Sequence, residues 1–324
     1  MTLGEIGEGA LIRRIREKFP LPLGEGAKRE PDRAKPQNSV RGAIGDDAAV
    51  FDLPPGYSAV FCSDLVAENT HFLRELHPPD SIGYKAVAVN VSDVGAMGGV
   101  PMHFLISMAL PADLELSWVE GFLDGIERAC TEFDVSLVGG DSSSSDRIFV
   151  DVSMIGRVRT GGAVLRSGAK PGDGVYVTGT LGGSILGLER LKAGKTSDAA
   201  VQRHLYPQPR HRVGAAVTGR ANAMIDVSDG LSTDLSHILE ESKVSARIYK
   251  DRLPVFAGAQ DAHALHGGEE YELIIVGTDL PAAVEGIPLT RIGEIIASPL
   301  DHQLFLIDGT RESVLQPRGW QHFG

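Results

Sequence analysis

The chain of 324 residues carries 43 acidic against 31 basic side chains, a formal net charge of −12; no basic block is long enough to track a nucleic-acid backbone, which argues against DNA or RNA as a partner. Its two cysteines, Cys62 and Cys130, supply neither a disulfide framework nor a Cys-based zinc site, and no run of 18 or more apolar residues marks a membrane span. The expectation is a cytoplasmic protein with no membrane partner, built from two domains of about 150 residues each.

Glu8 to Phe19 places Leu11, Ile12, Ile15 and Phe19 at helical spacing, which predicts an amphipathic first helix ending near Pro20. Residues 21 to 40, rich in Pro, Gly and charge, read as a solvent loop. Gly45-Asp46-Asp47 then leads into a strand at Ala48 to Phe51. Adjacent side chains on an extended chain face opposite ways, so one of these carboxylates can enter a site. A second strand, Ser58 to Cys62, runs into Ser63-Asp64, which places an acid at a strand end, and Glu68, Asn69 and His71 follow. From spacing alone both a structural and a functional role stay open for His71. Ala86 to Val89 suits a buried helix or a strand, and the length of the segment Asp80 to Gly98 favours a helix. Asp93 is the suspicious residue there, because a buried carboxylate needs a cation or donors around it. The alternative is an aspartate capping a helix that starts near Val94.

Phe104 to Ala109 predicts a strand, Leu116 to Phe133 an amphipathic helix, and Ser136 to Val138 a strand ending in Gly139-Gly140-Asp141 and four serines. Glycines followed by an acid and hydroxyls let a backbone approach phosphate, and a flexible loop between strands is the other reading. After the strand Ile148 to Gly156, the polar, Gly-rich stretch Arg157 to Arg166 marks the boundary between domains 1–155 and 156–324. Gly179 to Ser184 follows the strand Val175 to Thr178 and opens a helix, as phosphate-binding turns do. Gly194-Lys195-Thr196 ends like a Walker A loop, but Glu189 occupies its first glycine position, which excludes a P-loop. Asp226-Val227-Ser228-Asp229-Gly230 presents two carboxylates and a hydroxyl before the helix-like Leu231 to Leu239. Gly267-Gly268-Glu269-Glu270-Tyr271-Glu272 runs into the strand Leu273 to Val276, where the glutamates could be solvated edge charges. Hard oxygen ligands gathered from scattered segments are what Mg²⁺ sites are made of.

In this order the segments Ile44 to Ala49, Ser63-Asp64 with His71-Phe72, Tyr84 to Asp93, Ala96-Met97-Gly98, Gly139 to Asp141, Arg166 to Asp173, Asp226 to Gly230, Gly267 to Glu269 and Gly319-Trp320 resemble the thiamine-monophosphate kinase family of the aminoimidazole-ribonucleotide-synthetase-like superfamily. The resemblance implies a two-domain α/β (α+β) fold whose N-terminal domain pairs in a homodimer. It implies transfer of the ATP γ-phosphate to thiamine phosphate with several Mg²⁺ ions. Carried onto matching positions, Asp47, Ser63, Asp64, Asp93, Asp141, Asp226 and Asp229 serve metals, with Asp93 and Asp229 catalytic. Gly140, Asp141, Arg166 and Ser228 face ATP, while His71, Glu269 and Trp320 face thiamine phosphate. This chain departs from the family at Cys62, where a hydroxyl is usual, at Glu270, where an aspartate is usual, and in the longer loop from Leu21 to Gln37.

The implied chemistry needs no base, because a phosphate monoester with a second pKa of about 6 is already an anion at neutral pH. Alignment and charge stabilisation carry phosphoryl transfer, which suits a site rich in Asp. Aminoimidazole ribonucleotide synthetase is the neighbouring reading within catalysis. Selenophosphate synthetase would want a reactive Cys in an N-terminal glycine-rich segment, and no cysteine precedes Cys62. A carboxylate-rich Ca²⁺-binding protein is the non-enzyme alternative, separated by its indifference to nucleotide.

Overall fold

The structure is a computed structural model that describes residues 1–20, 40–41, 44, 48–297 and 302–320. The expectations for the loop 21–40 at 21–39 and for Asp46 and Asp47 lie outside the described residues. The chain divides into two compact units. One comprises Met1–Val94 with Pro101–Gly161, the other Gly95–Val100 with Gly162–Gly324.

The first unit runs α1 (Leu3–Ile6), α2 (Glu8–Lys18), β1 (Val40–Arg41), β2 (Val50–Phe51), β3 (Tyr57–Ala67), α3 (Pro79–Ala96), β4 (Val100–Leu110), α4 (Leu116–Phe133), β5 (Ser136–Ser144) and β6 (Phe149–Arg159). Its sheet has the order β3-β6-β4-β5, with β3 antiparallel to β6 and β4 parallel to β5. Val150, Val152 and Met154 of β6 are fully buried, whereas the residues between them are only half-buried. One face of the sheet is therefore packed. α3 lies on the packed side of β3, where Cys62 Sγ is 3.6 Å from Asn90 Oδ1. This helix is buried nearly all round, and Ala86, Val87, Ala88, Val91 and Val94 have no exposed surface, as a core helix requires. α4 buries Val119, Phe122, Leu123, Ile126, Ala129 and Phe133 at i, i+3, i+4 spacing, and ends at Asp134 in a left-handed cap with φ 58°.

Three expectations change here. The strand predicted at Ser58 to Cys62 continues to Ala67, so Asp64 is inside β3 opposite Val152 and not at a strand end. The glycines and serines after Val138 are not a loop, because Gly139 to Ser144 extend β5 by pairing with β4. Asp93 caps no helix start, since it sits in the last turn of α3.

The second unit contains β7 (Gly174–Thr178), α5 (Gly183–Lys192), α6 (Ala199–Leu205), α7 (His211–Val217), β8 (Ala221–Asp226), α8 (Leu231–Ser242), β9 (Ser245–Tyr249), α9 (Asp261–His266), β10 (Leu273–Gly277), β11 (Ala283–Val284), β12 (Ile287–Ile296), β13 (Leu304–Asp308) and β14 (Arg311–Val314). The sheet order is β14-β13-β9-β12-β7-β10-β8, with β11 paired to β12. β7 and β10 are buried on both faces. Alternation sends Val175, Val177, Ile274 and Val276 against Leu231, Leu235 and Ile238 of α8. It sends Tyr176, Leu273 and Ile275 against Val213 and Val217 of α7 and against Ala96. Among the described residues no helix is long and apolar enough to cross a membrane.

Candidate functional site

In the second unit, β8 ends at Asp226 and α8 starts after Gly230, so Val227-Ser228-Asp229 is a short bridge between the edge strand of the sheet and a helix N-terminus. Gly230 has φ 118°, and a Cβ there would lie 2.8 Å from the carbonyl carbon of His266, so no other residue fits this turn. Asp234, on the first turn of α8, accepts the main-chain N–H groups of Asp229 (3.1 Å) and Gly230 (2.9 Å). Burial, and then the charges of Asp226 and Asp229, push the Asp234 carboxyl up to about 8. Three carboxyl groups thus gather at this one strand-to-helix turn.

Two segments dock on this bridge through the main chain. The N–H of Glu269 donates to Ser228 O at 2.7 Å, and the N–H of Trp320 donates to Asp229 O at 3.1 Å. Asp226, Ser228, Asp229, Glu269 and Trp320, separated by up to 94 positions in sequence, are brought together in one unit. Arg166 is exposed on a segment beside β8, where Leu165 O accepts the N–H of Met224 at 3.1 Å.

Glu269 and Tyr271 both hold left-handed backbone, at φ 58° and 52°, a conformation that costs non-glycine residues about 1–2 kcal/mol each. The alternating acids explain how it is kept. Glu270 Oε2 accepts Arg203 Nε at 3.0 Å and its Oε1 accepts the N–H of Ser184 at 2.9 Å. Glu272 accepts Thr178 Oγ1 at 2.5 Å, Arg203 Nη2 at 2.6 Å and Arg210 Nε and Nη2 at 2.7 Å. Both acids are buried, at 2% and 0% exposure, so they are not the solvated edge charges that the sequence allowed. Burial works against the Arg203 charge, but Glu272 and Glu270 outweigh it and raise its pKa. Glu269, by contrast, keeps its side chain partly exposed, with Oε2 3.5 Å from His204 Nδ1.

In the first unit the candidates fall on two faces. Asp64 shares the packed face with Cys62, and the Cys62–Asn90 contact joins its strand to the helix that carries Asp93 three residues beyond Asn90. Ser63 points the other way. Its hydroxyl donates to Asp151 Oδ1 at 2.9 Å and lies 3.0 Å from Ser153 Oγ. On β5, Gly140 pairs with Ile106 and Asp141 with Ser107, and the Asp141 carboxylate accepts the N–H of Ser142 at 2.9 Å. The turn after β3 presents His71. Glu68 accepts the N–H of Ile148 and pairs with Arg74, both at 3.0 Å, Asn69 takes φ 67°, and Ala67 N–H donates to His71 Nδ1 at 3.1 Å. That bond leaves Nε2 to carry the histidine proton. Asp151 and Asp234 were not singled out from the sequence. The alternation Val150-Asp151-Val152-Ser153 was the signal for the first, and an acid four positions after Gly230 the signal for the second.

Among the described residues no three His, Cys, Asp or Glu side chains group closely enough to hold a metal ion by themselves. The donor chemistry nevertheless fits a hard divalent cation. Every candidate ligand is an oxygen, and Asp226 and Asp229 lie close enough to Asp234 to add, after burial, to the rise in its pKa.

AIR synthase related protein, N-terminal domain, describes residues 45–158, and AIR synthase related protein, C-terminal domain, describes residues 170–301. The thiamine-monophosphate kinase of Bacillus subtilis (strain 168) is 36% identical, over 88% of this chain and 94% of its own. That of Aquifex aeolicus (strain VF5) is 37% identical over 100% of both. Among solved structures, AaThiL complexed with AMPPCP and TMP superposes with a TM-score of 0.75 at 34% identity, covering 100% of this chain and 99% of that one. With two AIR synthase related domains in series and full-length relatives above 30% identity, the chain belongs to the thiamine-monophosphate kinase family.

Proposed function

We propose that this protein transfers the γ-phosphoryl group of ATP to thiamine phosphate, giving thiamine diphosphate, in one in-line step. The observation that carries the reading is the main-chain docking of the Glu269 and Trp320 segments on the Asp226–Gly230 bridge. That docking joins the two halves such a reaction needs, an anionic loop for cations and a flat aromatic for a cationic heterocycle. The solved relative binds AMPPCP and TMP, an ATP analogue and an acceptor consistent with this chemistry.

Asp47, Ser63, Asp64, Asp93, Asp141, Asp226 and Asp229 would hold several Mg²⁺ ions. Bound there, the metal supplies charge neutralisation for phosphates that an acidic protein would otherwise repel. Gly140, Asp141, Arg166 and Ser228 face ATP, with Arg166 as the guanidinium suited to a polyphosphate. His71 offers its Nε2–H to the acceptor, Glu269 reaches it from the left-handed turn, and the Trp320 indole covers the thiazolium cation. Asp93 and Asp229 keep the donor and acceptor phosphates in register. No side chain removes a proton, because the attacking oxygen is already an anion. No phosphoenzyme forms on this reading, since no Ser, Cys or His stands in an activated nucleophile arrangement.

Residues 1–155 would form the nucleotide and dimerisation domain, and 156–324 the domain that completes the site. The open face of the first sheet exposes Phe61 at 70%, Leu65 at 50% and Leu105 at 41%, which favours a second copy as its cover. Two free cysteines suit the reducing cytoplasm. The direct test is formation of thiamine diphosphate from ATP, Mg²⁺ and thiamine phosphate. Absence of product with each substrate saturating would overturn the assignment.

A further inference from the structure

We propose that Thr233 is a positioning residue that latches the Gly319–Trp320 segment to the Asp229 bridge and thereby sets where the indole meets the acceptor; the proposal rests on the reading of Trp320 as an acceptor residue. Thr233 stands on the first turn of α8, its own N–H donating to Gly230 O at 2.9 Å. Its hydroxyl accepts the N–H of Gly319 at 3.0 Å. One residue on, the N–H of Trp320 donates to Asp229 O at 3.1 Å. Two consecutive amides of the segment are thus fixed by one helix start and the bridge before it.

The contact is too close for any side chain on the segment. A Cβ at position 319 would lie 2.0 Å from Asp229 O and 2.5 Å from Thr233 Oγ1. Trp320 is 52% exposed, so its position owes more to these main-chain bonds than to burial. The same peptide neighbourhood is held from the other side, where Asp234 accepts the N–H of Asp229. Acceptor clamp and anionic bridge therefore share one residue, and a loose clamp should be felt by the acceptor before it is felt by ATP.

Thr233→Val keeps the shape and removes the acceptor atom. The loss of one hydrogen bond predicts a KM for thiamine phosphate raised roughly 2- to 12-fold, with kcat and the KM for ATP within about twofold. Thr233→Ser should restore the acceptor KM. In a Trp118→Phe background, where the replaced indole N–H has no partner among the described residues, Trp320 is the sole indole. Its acrylamide quenching without substrates should then rise in Thr233→Val and fall back in Thr233→Ser. Gly319→Ala attacks the same latch from the segment and should raise acceptor KM and quenching together. Unchanged acceptor KM and quenching in Thr233→Val, equal losses for both substrates, or failure of the serine to rescue would overturn the latch. Trp320→Ala, run in parallel, separates the premise from the proposal. If it weakens the acceptor while Thr233→Val does not, the latch alone fails; if it leaves the acceptor unaffected, the role of Trp320 fails and the latch with it.

Discussion

Arg203 sets its Nη2 2.6 Å from Oε1 of Glu272, a glutamate with no exposed surface. The same guanidinium reaches Glu270 through Nε at 3.0 Å, so one cation serves two buried acids across the left-handed turn that carries Glu269. Removing it leaves charge in the core with fewer partners. Arg203→Met is expected to destabilise the protein by about 3–5 kcal/mol, read from chemical denaturation. Arg203→Lys should not rescue it, because an ammonium cannot span two carboxylates with a planar fork. A loss below about 1 kcal/mol for the methionine variant would mean that Arg210 and Ser184 suffice.

Acid sensitivity should trace to His211. Burial, and then the neighbouring Arg212 charge, lower its pKa to about 4, against the help of the Pro209 carbonyl. A base whose folded pKa is depressed binds protons more readily when unfolded. Its stabilising contribution is full above about 6.5 and lost as pH falls towards about 4, by at most about 3 kcal/mol. Denaturation midpoints for His211→Gln should decline less over this window than those of the parent, and parallel curves would assign the acid loss to other groups.

The proposed metal acids predict a separation of activity from stability. Asp47→Asn, Asp93→Asn and Asp229→Asn should each lower turnover by about 100-fold or more at saturating Mg²⁺. Stability should change by no more than about 1 kcal/mol, since each keeps its volume. Near-normal turnover in all three would make the carboxylates structural.

Association should depend on the open sheet face. Phe61→Asp places a charge at the most exposed of the three apolar side chains there, and light scattering after size exclusion should show a homodimer turned to monomer at micromolar concentration. A variant that remains dimeric would move the interface elsewhere.

The sequence carried the periodic elements well. The spacing of Val119, Phe122, Leu123 and Ile126 specifies α4, and the switch from the apolar Ala223-Met224-Ile225 to Asp226 and a helix pattern specifies the bridge before α8. Other features depend on partners far along the chain. Nothing near Glu270 and Glu272 announces burial, because the arginines that neutralise them lie on α6 and just before α7. Gly139 to Ser144 resembled a loop since glycine and serine are poor strand formers, and pairing with β4 overrides that preference. Asp64 was misplaced for a related reason. Cys62-Ser63-Asp64 interrupts the apolar alternation, and only the unbroken ladder to β6 shows that the strand continues.

That ladder has a kinetic consequence. β3 and β6 pair over eleven residues without a register shift, from Tyr57 opposite Arg159 to Ala67 opposite Phe149. Even its sequence-nearest pair, Ala67 and Phe149, spans about 80 residues, and pairings of such separation must close a large loop before any contact rewards it. The first unit should therefore refold slowly, with β3 waiting as an unpaired edge until β6 arrives. Its exposed Phe61 and Leu65 make that waiting strand the place where concentrated refolding mixtures are expected to aggregate first.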